Sequence, residues 1–447
     1  MPTPLPDLTE KLPPLQARNA WRVLFLLALI NLLNFYDRTI PAAVVEPIKA
    51  EFGLADTHIG VLGGAFTVVY AGAGLHLGKL ADRASRKRVM GWGLVAWSGF
   101  TAASGAVVNF ATLLLTRLGV GVGEAAYAPA ANSTIADLFP PQKRSRAVAV
   151  FSLGLPLGLT LAFFTTGAMV DAFGSWRAPF LVASVPGLLL AAAVFVMREP
   201  VRGASERLAA PTAEVDRPIR TLLAVPTMRW LVVSGIGLQV ASYSVATFLV
   251  PLFQRWFGAS LTVAATNTGV VLGLTGLVGL LLGGFVADRA ARRSPRGRVL
   301  VGAGCLTAAV PLTLAALLLD RGRSGLFVVL FGLGWLLVYQ YYTAVYPAIA
   351  DIVAPGLRST AVAVYFAAMY LLGGAIGPVV TGVLSDRIAD AQGGASEAAA
   401  EARGLHDSLL FVVPPSLALT ALALYLAART IHADHDARLR RPVAESR

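Results

Sequence analysis

The 447-residue chain contains very little cysteine, histidine or charge. Cys305 is the single cysteine, which excludes an intrachain disulfide and a metal site built from cysteines. The five histidines are scattered without the His-Glu-x-x-His spacing of zinc proteases, so a membrane metalloprotease is not expected. Charged residues make up 14% of the chain, whereas soluble proteins carry about a quarter. This shortage indicates that lipid surrounds most of the protein.

Long apolar runs take the place of the missing charge. Hydrophobic residues make up 56% of the chain, and twelve windows of about 20 apolar residues recur along it, each able to cross a core of about 30 Å as a helix. The alternating pattern of a membrane β-barrel is absent. The polar, proline-rich N-terminus predicts no cleavable signal peptide. The sequence therefore predicts an all-α integral membrane protein with twelve transmembrane spans.

Positive charge is distributed unevenly along the chain. The net charge of +12 arises from 37 Lys and Arg residues against 25 Asp and Glu residues, and most of the basic residues fall in the termini and the even-numbered loops. By the positive-inside rule, both termini and the long central loop are cytoplasmic. The basic excess thus orients the chain in a plasma (inner) membrane, and no nucleic-acid partner is expected.

The two halves of the sequence repeat each other. "IADLFPPQKRSRAVAV" at 135–150 matches "IADIVAPGLRSTAVAV" at 349–364 at ten of sixteen positions, and "GKLADRASRK" at 78–87 echoes "GFVADRAARR" at 284–293. The predicted units are a six-helix bundle at 1–197, a cytoplasmic linker at 198–227 and a second six-helix bundle with a cytoplasmic tail at 228–447. Two pseudo-symmetric bundles around a central cavity are the architecture of alternating access.

Four charged residues lie inside the predicted spans: Asp37, Arg38, Arg117 and Glu124. A charge at this depth costs at least about 2.5 kcal/mol on insertion scales, so such residues usually have a function. A rise of about 1.5 Å per residue places Asp37 and Arg117 at nearly the same depth, and this predicts that they pair. Glu124 would then lie two turns nearer the cytoplasm, close to Asn31.

Two interpretations of these charges remain open. They are either permanently paired ions that hold helices together, or a site in which Asp37 and Glu124 bind and release protons as their arginine partners change. In the second interpretation, polar residues on one face of the first span and the two arginines contact a substrate headgroup. The predicted headgroup residues are Arg38, Arg117, Asn31 and Asn34.

The spans of the second half carry no charge in their interiors. Their notable feature is a polar and aromatic stripe at helical spacing on the seventh and tenth spans. The predicted cavity residues are Gln239, Tyr243, Trp335, Tyr339, Tyr342 and Tyr346. Such a stripe serves either as packing between helices or as a cavity wall, and both remain open. A cavity with one charged and one aromatic wall suits an amphiphile with a polar head and an apolar tail.

Several motifs resemble those of the major facilitator superfamily over essentially the full length. "GKLADRASRK" is similar to the superfamily motif between helices two and three, with Ser85 where glycine is usual. "NFYDR", "RLGVGVGEAAYAPAANSTIADLFP" and "RSRAVAVFSLGLPLG" together resemble the Spinster family. This resemblance implies functional roles for Asp37, Arg117 and Glu124. Helix eleven has Tyr370 and no histidine where eukaryotic Spinster proteins have one, so coupling would rest on the carboxylates of the first half.

Charged residues at the predicted cytoplasmic helix ends form a further candidate group. They serve either as topology signals or, as the resemblance implies, as a latch that closes an inner gate by capping neighbouring helices and pairing with loop arginines. The predicted gating residues are Asp82, Arg83, Arg86, Asp137, Arg144, Asp288, Arg289, Asp351 and Arg358.

The sequence thus predicts a proton-coupled secondary transporter that moves lysophospholipid-like or sphingoid-like amphiphiles by alternating access. The alternative is a proton-coupled symporter of organic anions with the same fold. A membrane enzyme or receptor without transport is a remote third hypothesis, since no nucleotide motif or nucleophile–base set is present. The expected partners are an amphiphilic small molecule, protons and membrane lipids, with no cofactor or metal, and the protein is predicted to be a monomer.

Overall fold

The computed structural model of the chain describes residues 14–200, 218–292, 294, 296–353, 357–392 and 396–440. Within these ranges the chain forms helices and turns, and no strand occurs among them. Ten helical stretches in this part are long and apolar enough to cross a membrane. The prediction of an all-α membrane protein is confirmed.

The first half contains spans 1 to 6. Span 1 is Pro14–Ala43, span 2 is Asp56–Arg83, span 3 is Arg86–Ser104, span 4 is the helix pair Phe110–Ala125 and Tyr127–Leu138, span 5 is the pair Pro141–Ser152 and Gly154–Phe173, and span 6 is Ala178–Val196. The short helix Val45–Phe52 joins spans 1 and 2. Spans 3 and 4 are not among the ten long apolar stretches; span 3 begins with three basic residues, and span 4 carries the charged residues Arg117 and Glu124.

The second half contains spans 7 to 12, preceded by the short helix Pro218–Ala224. Span 7 is Pro226–Arg255, span 8 is Leu261–Thr268 with Thr275–Ala291, span 9 is Gly297–Leu317, span 10 is Ser324–Ile352, span 11 is Arg358–Ala368 with Ile376–Asp390, and span 12 is Glu397–Arg440. Spans 8 and 11 each contain a π-helical segment, Gly269–Leu274 and Met369–Gly374. Single π-helical turns inside α-helices are rare and are frequent at functional sites.

Close helix contacts through glycine position the charged residues of the first half. A Cβ atom on Gly93 would lie 2.8 Å from the carbonyl oxygen of Gly123, so spans 3 and 4 touch through their backbones. A Cβ atom on Gly158 would lie 2.4 Å from the carbonyl oxygen of Leu32, so spans 1 and 5 do the same. Small residues at these crossings allow the close approach of membrane helices. Span 1 and span 4 are thereby each fixed against a neighbouring helix.

The buried apolar side chains form two clusters. One cluster contains residues from Ala20 to Met197 only. The other is built mainly from residues between Leu222 and Ile431, and includes a few side chains of the first half, such as Phe163. The proposed boundaries at 197 and 228 are compatible with this division and stay a prediction.

A cluster of polar and charged residues joins the two halves at the end of the bundle where the short helix Val45–Phe52 meets spans 2, 7 and 11; it is called the interhalf clamp below. Its residues are Glu46, Lys49, Asp56, Arg255, Ser385 and Asp386. Asp56 is 1% exposed and accepts hydrogen bonds from Lys49 Nζ at 2.7 Å, from Arg255 Nη1 and Nη2 at 2.8 Å and from Ser385 Oγ at 2.7 Å. The clamp therefore fixes this end of span 2 against both spans 7 and 11.

The Asp386 carboxylate completes the clamp by capping span 2. It accepts hydrogen bonds from the backbone nitrogens of Asp56 and Thr57 at 2.9 and 2.8 Å, and from Thr57 Oγ1 at 2.6 Å. An acidic side chain at a helix N-terminus satisfies free N–H groups and interacts favourably with the helix dipole. Here the capping residue belongs to span 11, so the cap also links the two halves.

Two pairs of spans also bring the halves together through close backbone contacts. Spans 2 and 11 meet where a Cβ atom on Gly60 would lie 2.4 Å from the carbonyl oxygen of Pro378. Spans 5 and 8 meet where a Cβ atom on Gly273 would lie 2.0 Å from Thr160 Oγ1. Gly273 belongs to the π-helical segment of span 8, so this irregular turn packs directly against the first half.

Candidate functional site

A cavity of about 540 Å³ lies between the two halves. All four predicted headgroup residues and all six predicted cavity residues of the second half line it. Asp37 and Glu124 are not among the lining residues, and both side chains are buried. Among the described residues, Arg38 and Arg117 are the charged side chains that reach the cavity. The carboxylates therefore lie behind the wall that the arginines form.

Arg38 and Glu124 form a buried ion pair in the wall of the first half. Arg38 Nε and Nη2 donate to Glu124 Oε2 at 3.1 and 2.7 Å. The guanidinium carbon also lies 5.3, 5.1 and 4.3 Å from the ring centroids of Phe35, Phe66 and Tyr70. Aromatic faces at these distances attract a cation. Arg38 is therefore held by one carboxylate and three rings.

Asp37 has no basic partner within the described part of the chain. Its Oδ2 atom accepts a hydrogen bond from Trp97 Nε1 of span 3 at 2.9 Å. Its Oδ1 atom is buried and has no hydrogen-bond partner among the described atoms. The side chain is 0% exposed. An ionised carboxylate in such surroundings would be costly unless a cation approaches it.

The predicted pairing of Asp37 with Arg117 is wrong for this conformation. Arg117 instead donates from Nε and Nη2 to Ser104 Oγ at 3.1 and 2.6 Å, and its guanidinium carbon lies 5.1 Å from the ring centroid of Phe180. The partner of Glu124 is Arg38, an ion pair that the sequence did not predict. The estimated depth correctly places these residues in the same region of the bundle. It does not identify their partners, because adjacent residues point in different directions around a helix.

The two asparagines of span 1 have different surroundings. Asn31 Nδ2 donates to the backbone oxygen of Phe151 at 2.9 Å, next to the interruption of span 5 at Leu153. Asn34 Nδ2 is buried and has no hydrogen-bond partner among the described atoms. Both side chains line the cavity, so they add polar groups to an otherwise aromatic and apolar surface.

The wall of the second half consists largely of tyrosine. Tyr339 Oη donates to the backbone oxygen of Leu272 in the π-helical segment of span 8 at 2.7 Å. Tyr342 Oη donates to Gln239 Oε1 at 3.4 Å. The rings of Tyr339, Tyr342 and Tyr346 follow one another, with centroids 6.2 and 5.8 Å apart. The predicted stripe therefore forms one continuous aromatic surface along the cavity.

Sequence reasoning missed several residues of this site. Trp97, Thr101 and Ser104 repeat at helical spacing on span 3 and are fully buried beside the charged residues. The i, i+4, i+7 pattern of polar or hydrogen-bonding residues was the available signal. Phe66 and Tyr70 of span 2, which surround Arg38, have the same spacing of four residues.

The predicted gating residues lie at the opposite end of the bundle from the interhalf clamp. Arg86 is 2% exposed and forms a hydrogen bond with Asp137 of span 4, and its Nη2 donates to the backbone oxygen of Pro200 at 2.9 Å. Arg144 Nη2 donates to the backbone oxygen of Ala136 at 2.9 Å. These contacts join residues of the first half to each other and to the start of the linker, and a gating role stays a prediction.

The remaining gating residues give less information. Asp351 Oδ2 lies 3.3 Å from Arg298 Nη1 within the second half. Arg83 and Arg289 are exposed, and Arg358 is half-buried. The side chains of Asp82 and Asp288 lie outside the described part of the structure.

Two carboxylates outside the spans are held by strong donors. Arg177 and Trp176 donate to Glu51 at 2.6 to 2.7 Å, and these hydrogen bonds lower the pKa of Glu51 to about 2. Burial opposes ionisation of Glu199, but hydrogen bonds from the Ser85 hydroxyl and the Arg86 backbone outweigh it and lower the pKa of Glu199. Ser85 therefore fixes the start of the central linker to span 3.

Two helical bundles, a central cavity and charges confined to its wall define a membrane transporter that works on a small molecule. The model of the Major Facilitator Superfamily matches residues 27–387. The chain is 32% identical to an MFS-type efflux pump of Mycolicibacterium smegmatis over 96% of this chain and 95% of the relative. It is 31% identical to protein spinster homolog 1 of Xenopus laevis over 82% of this chain and 73% of the relative.

The solved structures agree with this assignment. A bacterial homolog of the human lysosomal transporter Spinster, in an inward-facing and unoccupied conformation, superimposes with a TM-score of 0.84 at 28% identity, over 93% of this chain and 98% of that chain. The inward-facing and occupied form gives a TM-score of 0.81. The chain therefore belongs to the Spinster family of the Major Facilitator Superfamily, as its motifs predict.

Proposed function

We propose that the protein is a proton-coupled transporter of lysophospholipid-like or sphingoid-like amphiphiles in the plasma membrane, with both termini in the cytoplasm. The observation that carries this proposal is the asymmetry of the cavity. Its cations, Arg38 and Arg117, lie on the wall of the first half, and the facing wall is aromatic and apolar. A single-chain lipid has the matching asymmetry, with a charged head at one end and a hydrocarbon tail at the other.

The interhalf clamp supports an inward-facing conformation. With cytoplasmic termini, the clamp lies at the extracellular end, where it joins spans 2, 7 and 11 through the buried carboxylate of Asp56. The predicted gating residues lie at the other end, where Arg86 contacts Asp137 and Arg144 contacts the backbone of Ala136. Both states of the bacterial Spinster homolog that superimposes on the chain are inward-facing, which agrees with this assignment.

The different surroundings of the two buried carboxylates support a role of Asp37 as the proton carrier. Glu124 is paired with Arg38 and has a reason to stay ionised. Each carboxylate has one oxygen without a hydrogen-bond partner, Asp37 Oδ1 and Glu124 Oε1, but Asp37 forms no ion pair among the described residues and accepts one hydrogen bond, from Trp97. A carboxyl group that lacks a cation in one conformation and gains it in another would bind and release a proton in step with the transport cycle.

Reconstituted protein tests this function directly. Proteoliposomes should move a fluorescent lysophosphatidylethanolamine across the bilayer faster when a pH gradient is imposed, and the flux should exceed that of liposomes without protein. Asp37→Asn protein is the matched control, because it keeps the size and polarity of the side chain. Flux that is equal with and without a gradient in the unmodified protein would exclude proton coupling, and no flux of any single-chain lipid would exclude the substrate class.

Efflux of small organic compounds is the second candidate function. The name of the M. smegmatis relative, an MFS-type efflux pump, favours this function. The largely apolar cavity of about 540 Å³ also has room for a small organic compound. Symport of a small dianion is less well supported, because such a substrate needs cations on both walls and the described cavity has them on one. Competition for lysolipid flux by apolar compounds and by dicarboxylates would separate the three.

A further inference from the structure

Ser104 is a fully buried residue at the end of span 3, and it is the hydrogen-bond partner of Arg117. Its Oγ atom accepts from Arg117 Nε at 3.1 Å and from Nη2 at 2.6 Å. The same atom lies 2.9 Å from Thr116 Oγ1 and 2.8 Å from the backbone oxygen of Phe100. Its single proton is thus directed to one of these two oxygens, which leaves the lone pairs to face the guanidinium.

This is an unusual partner for a buried arginine. Arg117 is 3% exposed, and arginines at this burial are normally paired with a carboxylate. Within the described residues Arg117 forms no ion pair, although the charges of Asp37 and Glu124 act on it electrostatically. A neutral hydroxyl and the Phe180 ring take the place of the carboxylate.

The complementary feature is the unpartnered oxygen of Asp37. Asp37 Oδ1 is buried without a hydrogen-bond partner, and Arg117 is among the charged groups that act on this carboxyl. A buried cation without an anion and a buried carboxyl without a cation therefore lie in the same wall. The charged and titratable groups that act on Asp37 are Arg117, Glu124 and Tyr36, with Arg38 next to it in the chain, while span 3 contributes the uncharged Trp97 and Thr101.

We infer that Ser104 is one of two docking positions for Arg117 and that it controls the proton on Asp37. In the conformation described here, Ser104 holds Arg117 away from Asp37, and the carboxyl keeps its proton. When the halves rearrange, Arg117 leaves Ser104 and pairs with Asp37, and the proton departs from the carboxyl to solvent. Ser104 is a positioning residue, and this role rests on the proposed proton coupling at Asp37.

Removing the docking position should shift the titration of Asp37. In Ser104→Ala protein, Arg117 loses two hydrogen bonds and spends more time beside Asp37, which favours the ionised carboxylate. The midpoint of its titration should therefore move to lower pH by about one unit, the lower end of the effect of a neighbouring cation. Ser104→Thr keeps the hydroxyl and should restore the original midpoint. Ser98→Ala removes another buried hydroxyl of span 3, which forms no hydrogen bond with Arg117. It should leave the titration midpoint of Asp37 unchanged.

Infrared difference spectroscopy of purified protein gives the readout without transport. The carbonyl stretch of a protonated carboxyl group is recorded against pH, and the band lost in Asp37→Asn protein is assigned to Asp37. A shift in Ser104→Ala that Ser104→Thr reverses supports the inference. A midpoint equal in Ser104→Ala and Ser98→Ala would overturn it. If the alanine variant does not fold, Ser104→Cys keeps the volume but is a weak acceptor, and the same shift is required of it.

The failure of the proposed function would look different. If no band is lost in Asp37→Asn protein at any pH, Asp37 does not hold a proton, and both the proton-carrier role and the inference fail together. If Asp37 titrates and its midpoint does not respond to Ser104, the proton-carrier role survives and the docking position alone is wrong. In an Arg117→Gln background the effect of Ser104→Ala should disappear, because the cation that moves is no longer present.

Discussion

The two walls of the cavity are built on different principles. In the wall of the first half, the buried charges of spans 1 and 4 are fixed by close glycine contacts to their neighbours, as between Gly93 and Gly123. The wall of the second half has aromatic rings and two π-helical segments, in spans 8 and 11. The first half thus has the buried charges, which in the proposed function bind protons and headgroups, and the second half has the irregular helices and the apolar surface.

This difference suggests a division of labour between the halves. Buried ions need fixed geometry, because a small displacement leaves a charge without its partner. π-helical turns, by contrast, change the direction of a helix and expose backbone groups to new partners, as Leu272 shows with Tyr339. Both π-helical segments lie in the spans that contact the first half, which places the deformable helices at the surface between the halves.

The largest expected effect comes from removing the carboxyl group that lacks a cation. Asp37→Asn mimics the protonated form, so it should abolish the accumulation of substrate driven by a pH gradient and spare exchange at zero gradient. Proteoliposome flux with and without an imposed gradient measures both. Leu29→Ala, at an exposed position of the same span that does not line the cavity, serves as a control. If Asp37→Asn protein still concentrates substrate, Asp37 is not the proton carrier and Glu124 becomes the next candidate. The proposed contrast between the two carboxylates would then be wrong.

Breaking the ion pair in the same wall should mainly affect stability and affinity. Glu124→Gln leaves the guanidinium of Arg38 without its anion. The loss of one partner of a buried ion pair lowers the free energy of unfolding by about 3 to 5 kcal/mol. We expect a lower thermal midpoint and weaker substrate binding, with a smaller change in the pH response than in Asp37→Asn. Thermal unfolding in detergent and equilibrium binding provide the two measurements. An unchanged midpoint would show that the aromatic rings alone hold Arg38.

The wall of the second half can be tested through the length of the lipid tail. Tyr342→Ala should weaken binding of long-chain lysolipids more than short-chain ones, because each lost methylene contact is worth up to about 0.8 kcal/mol. Tyr342→Phe removes the hydroxyl, with its hydrogen bond to Gln239, and keeps the ring, so it is the matched control. Affinities for a series of acyl chains give the slope. Equal losses at all chain lengths would assign the stripe to packing between helices.

The number of spans, the cavity stripe and the set of buried charges could be predicted from the sequence, because each depends on composition and helical period. The partners of the charges could not. Asp37 and Arg38 are neighbours in sequence and face different helices, so an estimate of depth cannot tell which of them meets Glu124 or Arg117. Asp56 and Arg255 lie at the ends of spans, where charges are common, so nothing in their pattern indicated a buried clamp.

The clamp itself should control which end of the cavity is open. Asp56→Asn weakens the hydrogen bonds from Lys49 and Arg255 while keeping the side-chain volume, so the clamped end should open more often. The variants Cys305→Ser and Thr247→Cys together leave a single cysteine, in the cavity. Adding Asp56→Asn to this protein should make the reaction of that cysteine with a thiol reagent added at the clamped end severalfold faster. Asp390→Asn, near the same end, serves as a control. Unchanged labelling would show that apolar contacts between spans 2 and 11 hold this end closed.

The smallest effect is expected for the ion pair of Glu51 and Arg177, which is partly exposed. Comparing it with the buried pair of Arg38 and Glu124 shows how much burial adds to the effect of an ion pair on stability. Because the pKa of Glu51 is lowered to about 2, the pair stabilises the folded protein above the ordinary range of a carboxyl group, and this contribution is lost as the pH falls toward about 2. Solvent screens the pair, so its worth is at most about 1 kcal/mol. Glu51→Gln should therefore lower the thermal midpoint slightly at neutral pH and by progressively less in acid. A difference that grew on acidification would contradict the assignment, since a protonated Glu51 and a glutamine carry the same charge.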